Sequence, residues 1–225
     1  MSLLDYLHLQ LRLEGKELVD NNRLRQVEVV PGEDIPLMLL AQLADQKMVI
    51  YFDEALQPKL FSELTKQIHN ISFPTINPLL NFLKTQNISF EIGRYKTYIF
   101  HPHFVDSDMT DVVCHSKHDP KIQTFGFDGF AEQVYAIERD GMAVSACVST
   151  RENEQCGEPW VYTDPQYRNL GLAQRVVDVW AQHLIKAGKV PFYSHKMENI
   201  ASANLANRLG LQPVFEEIVI SYMNV

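Results

Sequence analysis

The sequence predicts an α/β fold in two parts, and three observations predict it. Apolar residues recur at helical spacing in some segments and alternate, or run together, in others. Glycine, proline and Asx residues punctuate those segments where caps and turns belong. The hydrophobic fraction of 46% and the charged fraction of 21% are those of an ordinary globular chain. Residues 1–105 read as an N-terminal α/β region, and 106–225 as a second unit whose elements run β-β-β-α-β-α-β.

In the first part, Leu3, Leu4, Leu7 and Leu11 share one face of a helix that Gly15 can end. Leu24 to Val30 alternates and predicts a strand stopped by Pro31-Gly32. Asp34 is placed to cap a helix reaching Ala44. Met48 to Phe52 is a short apolar run that suits a buried strand. Pro58 suits the first turn of a helix to His69, and Asn77-Pro78 opens another to Gln86. Ile88 to Phe100 is rich in aromatic and β-branched residues and predicts strand. His101 to Phe125 is polar and reads as a connection.

In the second part, Gln133–Arg139 and Met142–Thr150 form a hairpin about Asp140-Gly141. A third strand, Glu158–Thr163, closes on Thr163-Asp164-Pro165, where the proline holds Asp164 extended. A helix follows over Leu172–Ala187, its apolar face marked by Leu172, Val176, Trp180 and Leu184. Val190–Ser194 is a strand, Asn199 caps a helix through Leu209, and Val214–Tyr222 is the last strand.

Composition removes several function classes. Twenty basic residues against 28 acidic ones leave a net charge of −8, which disfavours a broad polyanion-binding surface. Neither nucleic acid nor an anionic membrane is expected as partner. Three cysteines (Cys114, Cys147 and Cys156) do not make a disulfide framework, so a reduced, cytoplasmic location is expected. Asp5, His8, Gln10 and Arg12 interrupt the apolar start, which therefore does not read as a signal peptide. His101 and His103, and Cys114-His115 with His118, have spacings compatible with zinc. They sit in a polar connector without a four-ligand pattern, and no metal is expected.

One segment carries chemistry: Thr163-Asp164-Pro165-Gln166-Tyr167-Arg168-Asn169-Leu170-Gly171-Leu172-Ala173. A strand runs through a loop into a helix start, whose free N–H groups form an anion site. Gly171 allows close approach of a phosphate to the backbone, and Arg168 adds a forked cation. Small Ala173 leaves room beside the phosphate. The loop is neither a Walker loop nor a dinucleotide fingerprint.

Arg168-x-x-Gly171-x-Ala173 resembles the acetyl-CoA signature of the GNAT superfamily of N-acetyltransferases, R/Q-x-x-G-x-G/A. Its surroundings match too. Pro165 precedes Arg168 as in the family's V-x-P-x-x-R form, with Thr163 for valine. Asn199, Ser202, Leu205 and Leu209-Gly210-Leu211 resemble the second signature, N-x-x-S/A-x-x-L-x-x-x-L-G-F. The resemblance covers residues 127–225.

It implies the acyl-CoA N-acyltransferase fold, a mixed, mostly antiparallel sheet with a splayed central strand pair. The strand ending at Thr163 would part from the one beginning at Val190, and the pantetheine arm would enter the gap. Val161, Tyr162 and Thr163 would meet the arm. Arg168, Asn169, Leu170, Gly171, Leu172 and Ala173 would hold the diphosphate, with Asn199 and Ser202 contributing from the next helix. The implied activity is transfer of acetyl from acetyl-CoA to a primary amine of a small-molecule acceptor, with a homodimer possible.

A backbone N–H near Val161 or Tyr162 would serve the oxyanion. The family's usual tyrosine acid falls at Ala206, so Tyr193, Ser194 and Tyr162 are the substitute acids and Glu158 the candidate base. A base is needed because a free amine titrates near pH 10 and arrives protonated. Residues 1–105 are expected to help shape the acceptor pocket. The alternative function is a non-catalytic acyl-CoA-binding sensor or scaffold, which the alanine at 206 supports.

Overall fold

The computed structural model describes residues 1–30, 35–100 and 111–223. His101, His103, Pro31, Gly32 and Asp34 lie outside the described residues, as does the expected boundary at 105/106. The chain divides into two compact units. One is Met1–Lys96 with Val214–Val225, and the other is Thr97–Pro213.

In the first unit, α1 (Leu3–Leu13) begins with a capping box. Ser2 Oγ accepts from the Asp5 N–H at 3.2 Å, and Asp5 accepts in return from the Ser2 N–H at 2.7 Å. A short hairpin follows, β1 (Lys16–Leu18) against β2 (Arg23–Gln26). β3 (Met38–Leu43) and β4 (Met48–Asp53) form an antiparallel pair, and β2 runs parallel to β4.

The helix expected from Asp34 to Ala44 is therefore corrected to a strand. Met38–Leu43 is an apolar run buried almost throughout, and its length suits a central strand as well as a helix segment. It lies between β4 and the final strand, β11 (Gln212–Tyr222), which pairs antiparallel with it from Phe215–Leu43 to Ile220–Met38. Helices α2 (Pro58–Gln67) and α3 (Asn77–Thr85) each carry proline in the first turn. Leu64, Leu79 and Leu83 pack with Met38, Phe52 and Ile218 in this unit's core. Strand β5 (Phe90–Ile99) runs across the division between units.

In the second unit the polar connector contains a strand, β6 (Val112–Ser116), which the sequence reading did not separate from loop. It pairs antiparallel with β7 (Gln133–Arg139), β7 with β8 (Met142–Glu152), and β8 with β9 (Cys156–Thr163). Asp140 (φ 52°) and Gly141 (φ 79°) make the β7–β8 turn with two positive φ angles, as a two-residue hairpin requires. Helix α4 (Leu172–Lys186) buries Val176, Val177, Trp180, Ala181 and Leu184 against one face of this sheet. Phe127, Val134, Ala146 and Val148 form the core on the other face.

β10 (Val190–Lys196) pairs parallel with β9, and α5 (Ile200–Arg208) follows it. The β9–β10 ladder has only two rungs, Val190–Cys156 and Pro191–Gly157. Both strands then continue, to Thr163 and to Lys196, without pairing to each other. The expected splayed pair is present, in a mixed and mostly antiparallel sheet.

Candidate active site

The fork between β9 and β10 opens onto a cavity of about 440 Å³. From β9 it is lined by Val161, Tyr162 and Thr163, and from the following loop by Tyr167, Arg168, Asn169 and Gly171. The start of α4 contributes Leu172, Ala173 and Gln174. β10 adds Tyr193, and α5 adds Ala201, Ser202, Asn204, Leu205 and Arg208.

The loop is shaped by its own sequence. Asp164 accepts from the Gln166 N–H at 2.9 Å and starts a single 3-10 turn over Pro165–Tyr167. Arg168 is extended, Asn169 has φ 65° and Gly171 has φ 75°. Gly171 is the N-cap of α4, and no side chain caps that helix. A Cβ at Gly171 would meet nothing within 4 Å, so the backbone borders open space.

An uncapped helix start beside open space, with two arginines lining the same cavity, is a set of donors for a diphosphate. These residues fit the acyl-CoA that the signature implies. The Arg168 guanidinium is held from both sides. Its Nε donates to the Thr163 carbonyl at 3.2 Å, and its Cζ lies 5.9 Å from the centroid of the Tyr162 ring. Arg175, on the same helix, is paired with Asp111 and is not among the lining residues.

Three of the site residues expected from sequence lie elsewhere. Leu170 is 64% exposed and does not line the cavity. Asn199 is the N-cap of α5, where its Oδ1 accepts from the Ser202 N–H at 3.1 Å. Glu158 is only 4% exposed and its carboxylate is ion-paired with Arg151, its cross-strand neighbour on β8. Strand alternation puts Glu158, Trp160 and Tyr162 on the face away from α4, whereas Val161 packs with the α4 core.

Tyr193 does line the cavity. Its ring is 3% exposed, and its hydroxyl donates to the Ser202 carbonyl at 3.4 Å. Burial pushes its pKa up to about 12, so it keeps its proton throughout the neutral range. Two residues on, His195 stacks on Tyr98 with ring centroids 5.6 Å apart. His195 Nδ1 donates to the Lys196 carbonyl at 2.8 Å, which leaves Nε2 to accept from the Tyr98 hydroxyl at 3.3 Å. Among the described residues no group of three or more histidine, cysteine or acidic side chains is placed to hold a metal ion.

Tyr167, Gln174 and Arg208 also line the cavity and were not expected from the sequence. Arg208 lies one turn beyond Asn204 on α5, and this i, i+4 spacing on a helix that already supplies Ser202 was the available signal.

The family model for GNAT acetyltransferase matches residues 61–219, well over half of the chain. The chain belongs to the GNAT acetyltransferase family. Among solved structures, this GNAT chain is similar to an acetyltransferase of the GNAT family from Colwellia psychrerythraea. Identity is 13%, the match covers 99% of this chain and 98% of the other, and the TM-score is 0.51.

It is also similar to a conserved protein of unknown function from Staphylococcus epidermidis, at 12% identity, 93% and 94% coverage and a TM-score of 0.55. A third match, a GNAT-family acetyltransferase from Novosphingobium aromaticivorans, has 17% identity, covers 60% of this chain and 66% of the other, and has a TM-score of 0.49. At these identities the Colwellia psychrerythraea and Staphylococcus epidermidis structures show the fold. No curated protein matches the chain. Among the described residues no helix is long and apolar enough to cross a membrane.

Proposed function

We propose that this GNAT protein transfers acetyl from acetyl-CoA to the primary amine of a small molecule. The observation that carries the proposal is the two-rung ladder between β9 and β10, with the cavity and the uncapped α4 start beside it. Past Gly157, the β9 edge facing β10 has no strand partner there, and an extended arm with amide groups can pair along it. Acetyl-CoA supplies such an arm, a diphosphate and an activated thioester.

In this reading Arg168, Arg208 and the N–H groups of Gly171 to Ala173 bind the diphosphate. Val161 and Thr163 pair with the arm through their backbone. The amine nitrogen attacks the thioester carbonyl carbon. A C–N bond forms, the C–S bond breaks, and the amine proton passes to a base. The oxyanion is met by a β9 backbone N–H near Val161 or Tyr162.

Tyr193 is the donor on the cavity side, where the thiolate departs, and its high pKa keeps it protonated for that step. Glu158 is the carboxylate on the opposite face of β9, and it is the proposed proton acceptor.

The test is a thiol-release assay with acetyl-CoA over a panel of amines, run beside calorimetric titration of acetyl-CoA. Tight acetyl-CoA binding with amine-dependent thiol release supports the transferase. Binding with no release from any amine favours a sensor or scaffold, the reading that Ala206 supports. No binding removes both.

A further inference from the structure

We propose that the acceptor amine carries an aromatic ring, and that the ring docks on a wall formed by Trp160, Tyr162 and Phe125. This rests on the transferase reading above.

The wall is on the face of β9 away from α4. Trp160 and Tyr162, alternate residues of one strand, hold their rings nearly parallel at 11°, with centroids 5.9 Å apart. Phe125 stands edge-on to Tyr162 at 5.7 Å and 76°. Phe127 does the same to Trp160 at 5.3 Å and 80°. Phe127 is buried and braces the group, while Trp160 and Phe125 are half-buried and Tyr162 is 36% exposed. Two of these rings, Trp160 and Tyr162, stand on the strand that lines the cavity.

Geometry ties the wall to the reaction. Tyr162 belongs both to the wall and to the lining of the cavity, so a ring held on the wall lies beside the acyl-CoA that the cavity would hold.

Charge then narrows the class. The Arg168 guanidinium already sits over the Tyr162 ring, so a second cation at that ring meets repulsion. Glu158, the carboxylate on the same face, is already paired with Arg151. The wall offers little to a polycation. It offers offset and edge-to-face contacts to a neutral ring, the geometries aromatic pairs prefer.

The chain has two tryptophans, and Trp180 is buried at 1% exposure, so a ligand that quenches tryptophan emission reports on Trp160. The full-length protein is titrated with phenethylamine, propylamine and spermidine, and kcat/KM is measured for the same three amines with acetyl-CoA. Saturable quenching by phenethylamine alone is expected, and Trp160→Phe should abolish it. The kcat/KM for phenethylamine should exceed that for propylamine about tenfold or more, a ratio that apolar burial and ring contacts together can supply.

Phe125→Ala should cut that preference while acetyl-CoA affinity stays as in the wild type. Quenching that persists unchanged in Trp160→Phe, or spermidine turned over as well as phenethylamine, overturns the proposal. If no amine is acetylated while Trp160-dependent quenching is present, the transferase reading falls and the wall remains a ring-binding site. If amines are acetylated without quenching or ring preference, the wall falls and the transferase stands.

Discussion

Pro191 faces Gly157 in the last rung of the β9–β10 ladder. Pro159, two residues further along β9 and on the same side of the strand as Gly157, has no N–H to donate. Pro191 turns its carbonyl the other way, to the Phe100 N–H at 3.4 Å, so the ladder donor missing where the strands part is that of Pro159. On the other side of Gly157, a Cβ would come within 2.9 Å of Leu184 Cδ1, so α4 packs closely on the closed end of the fork. The fork is closed by packing at one end and lacks the Pro159 ladder donor where it opens.

The diphosphate role of the α4 start is tested by two substitutions at Gly171. Its φ of 75° costs any L-residue about 1–2 kcal/mol, so Gly171→Ala and Gly171→Asp should lose similar stability. Only aspartate brings a carboxylate to the site where the phosphates would bind. Acetyl-CoA affinity measured by calorimetry should fall more than about tenfold further in Gly171→Asp than in Gly171→Ala. Equal affinity of the two variants would show that no anion binds there.

The proton assignments separate by their pH dependence. Tyr193 is protonated at every pH below about 12, so Tyr193→Phe should lower kcat by about 10²-fold. That loss should be unchanged from pH 6 to pH 10. Glu158→Gln should slow turnover most near neutral pH and recover as the free amine accumulates toward pH 10. It should also destabilise the fold by about 3 kcal/mol, because it leaves the Arg151 charge without its buried counter-ion. Its rates are therefore compared at temperatures where melting curves show it folded. A pH-independent loss in Glu158→Gln would remove its role as base.

Much of this site was legible before the fold. Arg168, Gly171 and Ala173 lie in a strand–loop–helix order that local caps and turns specify, and the structure brings them to one cavity. Helix ends were equally legible, since Pro58, Pro78 and Asn199 act within their own first turns.

What sequence did not separate depended on distant partners. Met38–Leu43 reads as helix until β4 and β11 are known to flank it. Val112–Ser116 is a strand because β7 offers it an edge. The placement of Glu158 followed from the irregular register between Ser149 and Arg151, which sets Arg151 opposite it. Pro159 stands in the sequence, but only its place on the side of β9 that faces β10 makes it a sign of the fork.

A buried hydrogen bond ties α4 to β8 in the second unit. Trp180 Nε1 donates to Ser149 Oγ at 2.8 Å, and Ser149 in turn donates to Glu152 at 2.5 Å. Ser149→Ala strands the indole N–H in the core and should cost about 1–3 kcal/mol in denaturant unfolding. Trp180→Phe removes the donor as well as the packing. In a double-mutant cycle the two substitutions should be less damaging together than their sum, because the orphaned donor exists only in the first. Additive losses would mean the bond contributes nothing measurable.

Asp178 gives the fold a pH dependence of unusual sign. It lies on α4 at 4% exposure, and its Oδ1 finds no hydrogen-bond partner among the described residues. Burial raises its pKa to about 7 from an ordinary value of 3.8. The folded state therefore holds this proton over a range in which the unfolded chain has lost it. Between pH 3.8 and about 7 the native state binds more protons than the unfolded state, and this residue's contribution to stability falls as pH rises. Above about pH 7 both states are ionised and the penalty is constant. Asparagine is neutral at every pH and lacks that penalty. Asp178→Asn should match the wild type near pH 4 and exceed it at pH 8, by on the order of 3 kcal/mol. Melting temperatures of both proteins from pH 4 to pH 8 check this, and the difference between the two curves isolates Asp178 from every other titrating group. A constant difference across that range would show that the Asp178 carboxyl titrates alike in the folded and unfolded chain.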